Sequence, residues 1–125
     1  KYKKLKYPLI LPFKSMPENI RKNLKKINIK DYGLQVVPNV FKFDKKNSTI
    51  PNSLAISYAL AISNSGKAKK IFLAGFDGYS ADDPRRIEMD KMLSMYTSTN
   101  NTIEITSITQ TKYKIKSTSI YANFS

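Results

Sequence analysis

The residues best suited to chemistry lie in one short stretch near the middle of the chain, Gly75-Phe76-Asp77-Gly78-Tyr79. The two glycines permit tight backbone turns. The Asp77 carboxylate can accept hydrogen bonds from sugar hydroxyls, or bind a metal or a protonated base. The Tyr79 phenol can stack or hydrogen-bond. We therefore predict a ligand site centred on Gly75, Asp77, Gly78 and Tyr79.

Charged residues follow directly and extend this predicted site to Asp82, Arg85 and Arg86. Guanidinium groups can clamp a phosphate or a carboxylate through paired hydrogen bonds. Each feature also has a structural interpretation. Asp83 before Pro84 is typical of a helix cap, the Asp-Gly pair is typical of a turn, and arginines commonly cover a solvated surface. Neither Gly-x-Gly-x-x-Gly nor Gly-x-x-x-x-Gly-Lys occurs, so the stretch is not a phosphate loop.

Further polar residues could reach the same place. Ser107 and Thr109, with Thr111 as a weaker candidate, follow the last clear strand, and we include the first two in the predicted site. Ordinary loop residues would have the same composition. Asn52 and Ser53 precede an apolar run, where they would either bind an anion or cap a helix.

The elements that must position these residues begin with an apolar run over 54–62, which predicts a buried helix ending near 65–66. Its small residues Ala55, Ala59 and Ser63 recur every fourth position, and we expect this stripe to let a sheet approach closely. The next apolar run, 71–76, predicts a strand covered on both faces in a parallel sheet.

A second helix is predicted from Pro84, with an apolar face made by four residues and an end at the Asn100-Asn101 pair. The four are Met89, Met92, Leu93 and Tyr96. A strand over 102–106 and a short strand near 119–121 follow, and we expect Tyr113 and Tyr121 to pack or cap. Alternating helices and strands predict an α/β fold, a small three-layer Rossmann-like half domain with a mostly parallel sheet. Ligands in such folds sit at the carboxyl ends of the strands.

The first third of the chain predicts shorter elements. Ser15 and Pro17 indicate the start of a helix whose apolar face contains Ile20, Leu24 and Ile27. The other predictions are an edge strand in 7–13, a turn at 31–33, a strand over 34–37, an extended piece at 41–43 and a polar loop over 44–49.

Composition limits the chemistry of this chain. Its 125 residues predict a single domain, and the absence of Cys and His excludes disulfides, a cysteine nucleophile and a Cys/His zinc site. No apolar run approaches the roughly 20 residues of a membrane span, and basic residues 1–6 do not form a secretory signal. We expect a cytoplasmic protein without a metal. Because residue 1 is not Met, we also expect a piece of a longer chain.

The positive charge is concentrated in the first third. Residues 1–46 carry 13 Lys or Arg against 3 acidic residues, whereas 47–125 carry 9 against 6. A polyanion-binding domain would have such a basic region. The excess of Lys over Arg, together with many Asn, Ile, Ser and Tyr, is also the bias that an AT-rich genome imposes. We favour that explanation and do not expect nucleic acid as a partner.

Three segments together resemble one family module: Ile-Pro-x-x-Leu-Ala-x-x-Tyr-Ala-Leu-Ala-Ile at 50–62, Lys-Ile-Phe-Leu-Ala-Gly-Phe-Asp-Gly-Tyr-x-Ala-Asp-Asp-Pro-Arg at 70–85, and Glu88-Met89 with Ser-Ile-Thr at 107–109. They are similar to the carboxy-terminal module of bacterial proteins resembling 4-hydroxy-2-oxovalerate aldolase and hydroxymethylglutaryl-CoA lyase, found in lipopolysaccharide and capsule gene clusters. The resemblance implies an N-terminal barrel domain as partner. It also implies an accessory or ligand-binding role for this chain, without aldol chemistry of its own.

A weaker resemblance links the Gly-x-Asp-x-Tyr element to bacterial sialyltransferases. By position it implies that Gly75, Asp77 and Tyr79 lie beside an acidic sugar or a CMP-activated sugar, with no other cofactor. Those transferases use a histidine base, which this chain lacks, so transfer by this chain alone is not expected. The alternatives to a ligand-binding module are polyanion binding and a purely structural or oligomerisation role.

Overall fold

The computed structural model describes residues 6–124 and contains two compact units, Lys1–Ser65 and Gly66–Ser125. Most of residues 1–6, the basic run that we do not interpret as a secretory signal, therefore lies outside the described residues. The predicted α/β class with mostly parallel pairing is confirmed: four of the five strand pairings are parallel, compatible with a small Rossmann-like domain. The expectation of a single domain stays a prediction.

The first unit contains two small sheets. Strands β1 (Leu9–Leu11) and β2 (Ile29–Asp31) pair in parallel, separated in sequence by a 3₁₀ turn (Phe13–Ser15) and helix α1 (Glu18–Leu24). The predicted edge strand and helix are thus present. Pro17, not Ser15, takes the position that caps α1.

The second sheet of this unit has the order β3-β5-β4, formed by β3 (Gly33–Val36), β4 (Lys42–Phe43) and β5 (Asn47–Ile50). Helix α2 (Ala55–Ser65) packs on β4 and β5. Strands over 34–37 and 41–43 and a helix ending near 65 are therefore confirmed.

The predicted polar loop over 44–49 is wrong, because its second half is β5, the central strand of that sheet. Ser48 is buried there and its hydroxyl donates to the Gly33 carbonyl at 2.9 Å. The Asp44 carboxylate closes the preceding turn by accepting the N–H groups of Lys46 and Asn47, both at 2.8 Å. Polar side chains satisfied in this way can occupy a strand that hydrophobic pattern alone does not reveal.

The small-residue stripe of α2 also differs from expectation. Ala55 and Ala59 are exposed. The helix instead buries Ser57, Leu60, Ala61 and Asn64. The polar members of this face are satisfied locally: Ser57 donates to Asn52, and the Asn64 amide donates to the Leu60 carbonyl at 2.8 Å. Since the apolar residues run almost all round α2, sequence alone did not indicate which side faces the sheet.

The second unit is built on a parallel three-stranded sheet of order β6-β7-β8. Its elements are β6 (Ile71–Leu73), α3 (Pro84–Ser98), β7 (Ile105–Ser107), β8 (Lys116–Ser117) and α4 (Ile120–Phe124). Helix α3 buries the predicted face of Met89, Met92, Leu93 and Tyr96. The helix ends just before the predicted breaker pair at 100–101.

Three strand predictions in this unit need correction. The strand predicted over 71–76 ends at Leu73 and lies at the sheet edge among the described residues, with Phe72 36% exposed. It is therefore not covered on both faces. The strand predicted over 102–106 is the fully buried β7, whose last residue is Ser107. At 119–121 a helix begins, because the Ser119 hydroxyl accepts the Tyr121 N–H at 3.2 Å and caps α4.

In residues 6–124 no helix has the length and apolar character needed to cross a membrane.

Candidate functional site

The site is formed by the two loops that leave neighbouring parallel strands. Leu73 at the end of β6 is paired with Ser107 at the end of β7, so both loops start at the same edge of the sheet. Hydrogen bonds join them, among them Ile108 N–H to the Leu73 carbonyl at 2.9 Å, Gly75 N–H to Thr109 Oγ1 at 3.0 Å, and Lys112 N–H to the Asp77 carbonyl at 2.8 Å. The carboxyl ends of parallel strands are the usual ligand position in α/β sheets.

Both glycines of the first loop have positive φ, 66° at Gly75 and 105° at Gly78. Such conformations are strained for residues with a side chain. At Gly78 there is also close contact, because an added Cβ would lie 3.2 Å from Lys112 Cβ and 3.3 Å from the Tyr113 ring. At Gly75 an added Cβ would meet no atom within 4 Å. Gly78 is therefore required twice, for conformation and for the approach of the second loop.

Tyr113 is the residue around which the loops are organised. Its buried ring packs against Phe76 with centroids 5.0 Å apart, and its hydroxyl accepts the Tyr79 N–H at 3.3 Å. The prediction that Tyr113 packs is confirmed. The same prediction applies to Tyr121, but its side chain is 82% exposed and does not pack in this way.

These contacts leave a cleft of about 270 Å³ between the loops and α3. Its lining residues are Gly75, Phe76, Asp77, Gly78, Tyr79, Met89 and Tyr113. The structure thus brings together the four residues at the centre of the predicted site. Asp77 is exposed, and among residues 6–124 no side chain forms an ion pair or hydrogen bond with its carboxylate.

Asp83 and Arg85 are occupied with each other. Asp83 caps α3 by accepting the Arg85 N–H at 2.9 Å, as predicted, and the Arg85 guanidinium grips the same carboxylate through Nε at 3.0 Å and Nη2 at 2.6 Å. This guanidinium contact, together with the capping bond, lowers the pKa of the Asp83 carboxyl. The Arg85 guanidinium also lies over the Tyr79 ring, 4.4 Å from its centroid, and so covers one face of that ring.

Arg86 ties the helix to both loops. Its Nε donates to Asp90 at 3.0 Å, Nη1 to the Tyr79 carbonyl at 3.2 Å and Nη2 to the Lys112 carbonyl at 2.8 Å. Its guanidinium lies 5.2 Å from the Tyr113 ring centroid, and its side chain is only 22% exposed. A planar fork of donors is needed for three such contacts at once. The geometry therefore gives Arg86 a positioning role at the site.

The remaining predicted site residues support the loops or lie beside the cleft. The Ser107 hydroxyl is buried and donates to the Thr109 carbonyl at 2.7 Å. The Thr109 hydroxyl accepts the Gly75 N–H, and the Thr111 hydroxyl accepts the Tyr113 N–H at 3.2 Å. Asp82 is exposed in the turn before α3 and is not among the residues that line the cleft.

In the first unit, the candidate anion site at Asn52 and Ser53 has a structural use. The Asn52 side-chain oxygen accepts the Leu54 N–H at 3.3 Å and the Ser57 hydroxyl at 2.8 Å. These bonds cap α2. Ser53 is exposed.

The described residues contain no group of three or more Asp, Glu, His or Cys side chains arranged to hold a metal ion. The chemistry available in the cleft is therefore that of one carboxylate, aromatic rings and exposed backbone of the glycine loop.

Sequence reasoning missed the organising role of Tyr113, which is 34 residues from its hydrogen-bond partner Tyr79 in the chain. Its only signal was a tyrosine between two lysines, Lys112 and Lys114, in a Ser/Thr-rich segment. That alternation is typical of an extended piece with one buried face.

Comparison with models of protein families, with characterised proteins and with solved structures finds no match. The site is therefore interpreted from its own geometry.

Proposed function

We propose that this chain is a ligand-binding module whose site is the cleft at Asp77 and Tyr79, and that its ligand is a sugar or a sugar nucleotide. One observation carries the proposal. Asp77 is an unpaired carboxylate in the lining of a cleft, whereas the neighbouring Asp83 and Asp90 each bind an arginine and the unpaired Asp82 lies outside the lining. An unpaired carboxylate beside an aromatic ring suits a ligand with adjacent hydroxyls and an apolar ring face.

The size of the cleft supports a small ligand group. Its volume of about 270 Å³ lies just below the range of about 300–1,000 Å³ usual for whole small-molecule sites. One sugar ring or one ribose would fit such a space. The buried Met89 and Tyr113 form an apolar floor, and the glycine loop presents backbone polar groups at the rim.

The wider role is proposed from the resemblance of 50–62 and 70–85 to the aldolase-like proteins of polysaccharide gene clusters. On that basis the module serves a cytoplasmic enzyme of surface-polysaccharide biosynthesis, beside an N-terminal barrel domain, and binds an acidic sugar or its CMP-activated form. The chain itself would hold the ligand, and the partner domain would carry the aldolase or sugar-transfer chemistry.

The test is thermal-shift screening of the chain against monosaccharides, acidic sugars, cytidine, CMP and CMP-activated acidic sugars. A ligand at 100 times its Kd adds about 2.7 kcal/mol of stability, which raises the melting temperature measurably. Asp77→Asn should abolish the shift, and Asp82→Asn, an equal change at an exposed carboxylate outside the cleft, should preserve it. Equal loss in both variants, or no shift with any compound, would contradict the proposal.

A second candidate function, polyanion binding, is favoured by the charges of the first unit. Its three acidic side chains all have partners: Asp31 contacts Lys14, Glu18 contacts Lys22, and Asp44 accepts backbone N–H groups. In the part of this unit that the structure describes, nine lysines are exposed, and Lys14 and Lys22 are the two of them that pair with a carboxylate. Such a domain should bind labelled DNA or RNA with a steep salt dependence, since each neutralised phosphate releases counterions. A shallow slope in fluorescence anisotropy would rule this function out.

A further inference from the structure

A second groove lies beside the proposed ligand cleft, between α3 and the segment 112–114. Its volume is about 420 Å³, and its lining includes Arg86, Asp90, Thr97, Lys112 and Lys114. None of the sequence motifs drew attention to it. Leu93 and Ser94 complete the lining. The chemistry of the groove differs from that of the Asp77 cleft, because three of its seven lining residues are cationic and one is anionic.

The two lysines of this groove are available for a ligand. Lys112 and Lys114 are both exposed, and both line the groove. Neither ammonium group pairs with a carboxylate of the described residues. Asp90 is the one carboxylate in the groove lining, and Arg86 already holds it at 3.0 Å. The groove therefore has two uncompensated positive charges.

Groove and cleft share a wall, which is the segment 112–113. The Lys112 N–H donates to the Asp77 carbonyl at 2.8 Å, and Tyr113 lines the cleft from the other side. Arg86 spans both spaces, since it contacts Asp90 in the groove and the Tyr79 carbonyl at the cleft. A ligand that reaches across this wall would meet a carboxylate at one end and two ammonium groups at the other.

We propose that this groove is an anion subsite, in which Lys112 and Lys114 bind a phosphate or carboxylate group of the same ligand whose hydroxyls bind Asp77. The inference rests on the proposed function and deepens it, because it makes the ligand bipolar: hydroxyl-rich at one end and anionic at the other. Lysine ammonium groups act here as point charges toward the anion. Arg86 is a positioning residue, because its donors are committed to protein oxygens.

The experiment is an NMR titration of the uniformly ¹⁵N-labelled full chain at constant ionic strength. The probes are two pairs that differ only in the anion: cytidine against CMP, and glucose against glucuronate. CMP or glucuronate should bind about tenfold more tightly than its neutral counterpart, as expected for two charge-assisted contacts. In Lys112→Gln/Lys114→Gln this advantage should disappear. The matched control Lys25→Gln/Lys26→Gln removes the same charge from exposed residues of the first unit and should retain it.

The results separate the two proposals. Neutral probes that shift the Asp77 loop, with no added affinity from the anion, would keep the proposed function and overturn the anion subsite. Inorganic phosphate that shifts the amides of 112–114, while neutral sugars leave the Asp77 loop unmoved, would support the subsite and overturn the proposed function. Equal loss of the anion's advantage in the two lysine double variants would reduce the effect to general charge and overturn the subsite. If CMP and glucuronate bind without shifting the amides of 112–114, the anion subsite is also overturned. Unchanged melting temperatures of these variants establish that they fold, as their exposed positions predict.

Discussion

The two compact units use their charges in opposite ways. The first, Lys1–Ser65, has a net charge of +10 from 13 basic and 3 acidic residues, and its acidic side chains all have partners. The second, Gly66–Ser125, has 9 basic and 6 acidic residues, and leaves Asp77 unpaired at a cleft. The unit with the larger net charge is therefore not the unit that contains the Asp77 cleft. Asp82 and Glu88 of the second unit also form no ion pair with the described residues, so Asp77 is distinguished from them by lining the cleft.

Tyrosines show the same contrast. In the first unit Tyr32 donates to the Asp44 and Asn47 carbonyls at 3.0 and 3.1 Å, and Tyr58 donates to the Tyr32 carbonyl at 2.6 Å. Both phenols hold the fold together. In the second unit Tyr113 has that role and Tyr79 lines the cleft. One region therefore uses its phenols for structure, and the other divides them between structure and a site.

The largest effects should come from the two cores, and they test whether the units are equally well packed. Leu60 is 1% exposed in the first unit and Met92 is 0% exposed in the second. Either residue changed to Ala should cost about 2–5 kcal/mol, because a cavity replaces buried apolar contacts. Urea denaturation of each variant measures this loss. Ile87→Ala, at a residue 70% exposed, is the control and should cost under about 0.5 kcal/mol. A small loss at one core site would show that its unit is loosely packed.

The next effect concerns the glycine loop that distinguishes the second unit. Gly78→Ala should destabilise by about 1–3 kcal/mol, because it combines an unfavourable positive φ with contact against Lys112 and Tyr113. Gly75→Ala has the positive φ without the contact and should cost about 1–2 kcal/mol. Thermal denaturation of the pair measures the difference. If the two variants were equally stable, the close approach of the loops would not contribute.

Asp83→Ala should remove the cap and ion pair of α3 and lower the melting temperature near neutral pH. Because the Arg85 guanidinium lowers the Asp83 pKa in the folded protein, this stability is present above the unfolded pKa of about 3.9 and is lost as pH falls through the folded value. The difference in melting temperature between wild type and variant should therefore become smaller as the pH falls. Melting temperatures at several pH values measure it, with Asp82→Ala as control. A difference in melting temperature that does not change with pH would contradict the ion-pair explanation.

The smallest effect returns to the first unit. Tyr58→Phe should cost about 1 kcal/mol through the lost hydrogen bond to the Tyr32 carbonyl. Burial raises the Tyr58 pKa to about 12, above the unfolded value of about 10. Stability from this phenol is thus complete below pH 10 and is lost as pH rises toward 12. Ultraviolet titration should show one late-titrating phenol missing in the variant.

Local signals in the sequence predicted much of the second unit. Asp83 before Pro84 indicated the start of α3, and the spacing of Met89, Met92 and Tyr96 gave its buried face. These features depend on neighbours within about one helical turn, which sequence displays directly. The Asp77 loop was also found, because its glycines and polar side chains are contiguous.

Features that depend on distant partners were not predicted. Strand β5 is polar, and it is a central strand only because β3 and β4 flank it and the Gly33 carbonyl accepts the Ser48 hydroxyl. The groove at Lys112 and Lys114 needed Tyr113 to be buried against the other loop. Such pairings are set by tertiary contacts, and hydrophobic periodicity along the chain, with period 2 for a strand or 3.6 for a helix, does not predict them.

The short edge strand β6 has a consequence for how the protein behaves at high concentration. A strand with a free edge and an exposed aromatic residue is a template for pairing with another molecule. Here β6 has only three residues, Phe72 is its exposed aromatic, and Lys69 and Lys70 stand immediately before it. Mutual repulsion of these lysines would oppose the stacking of two such edges, as gatekeeper residues do beside aggregation-prone segments. Neutralising them, by acetylation or by substitution, should therefore make pairing of two molecules through this edge more favourable.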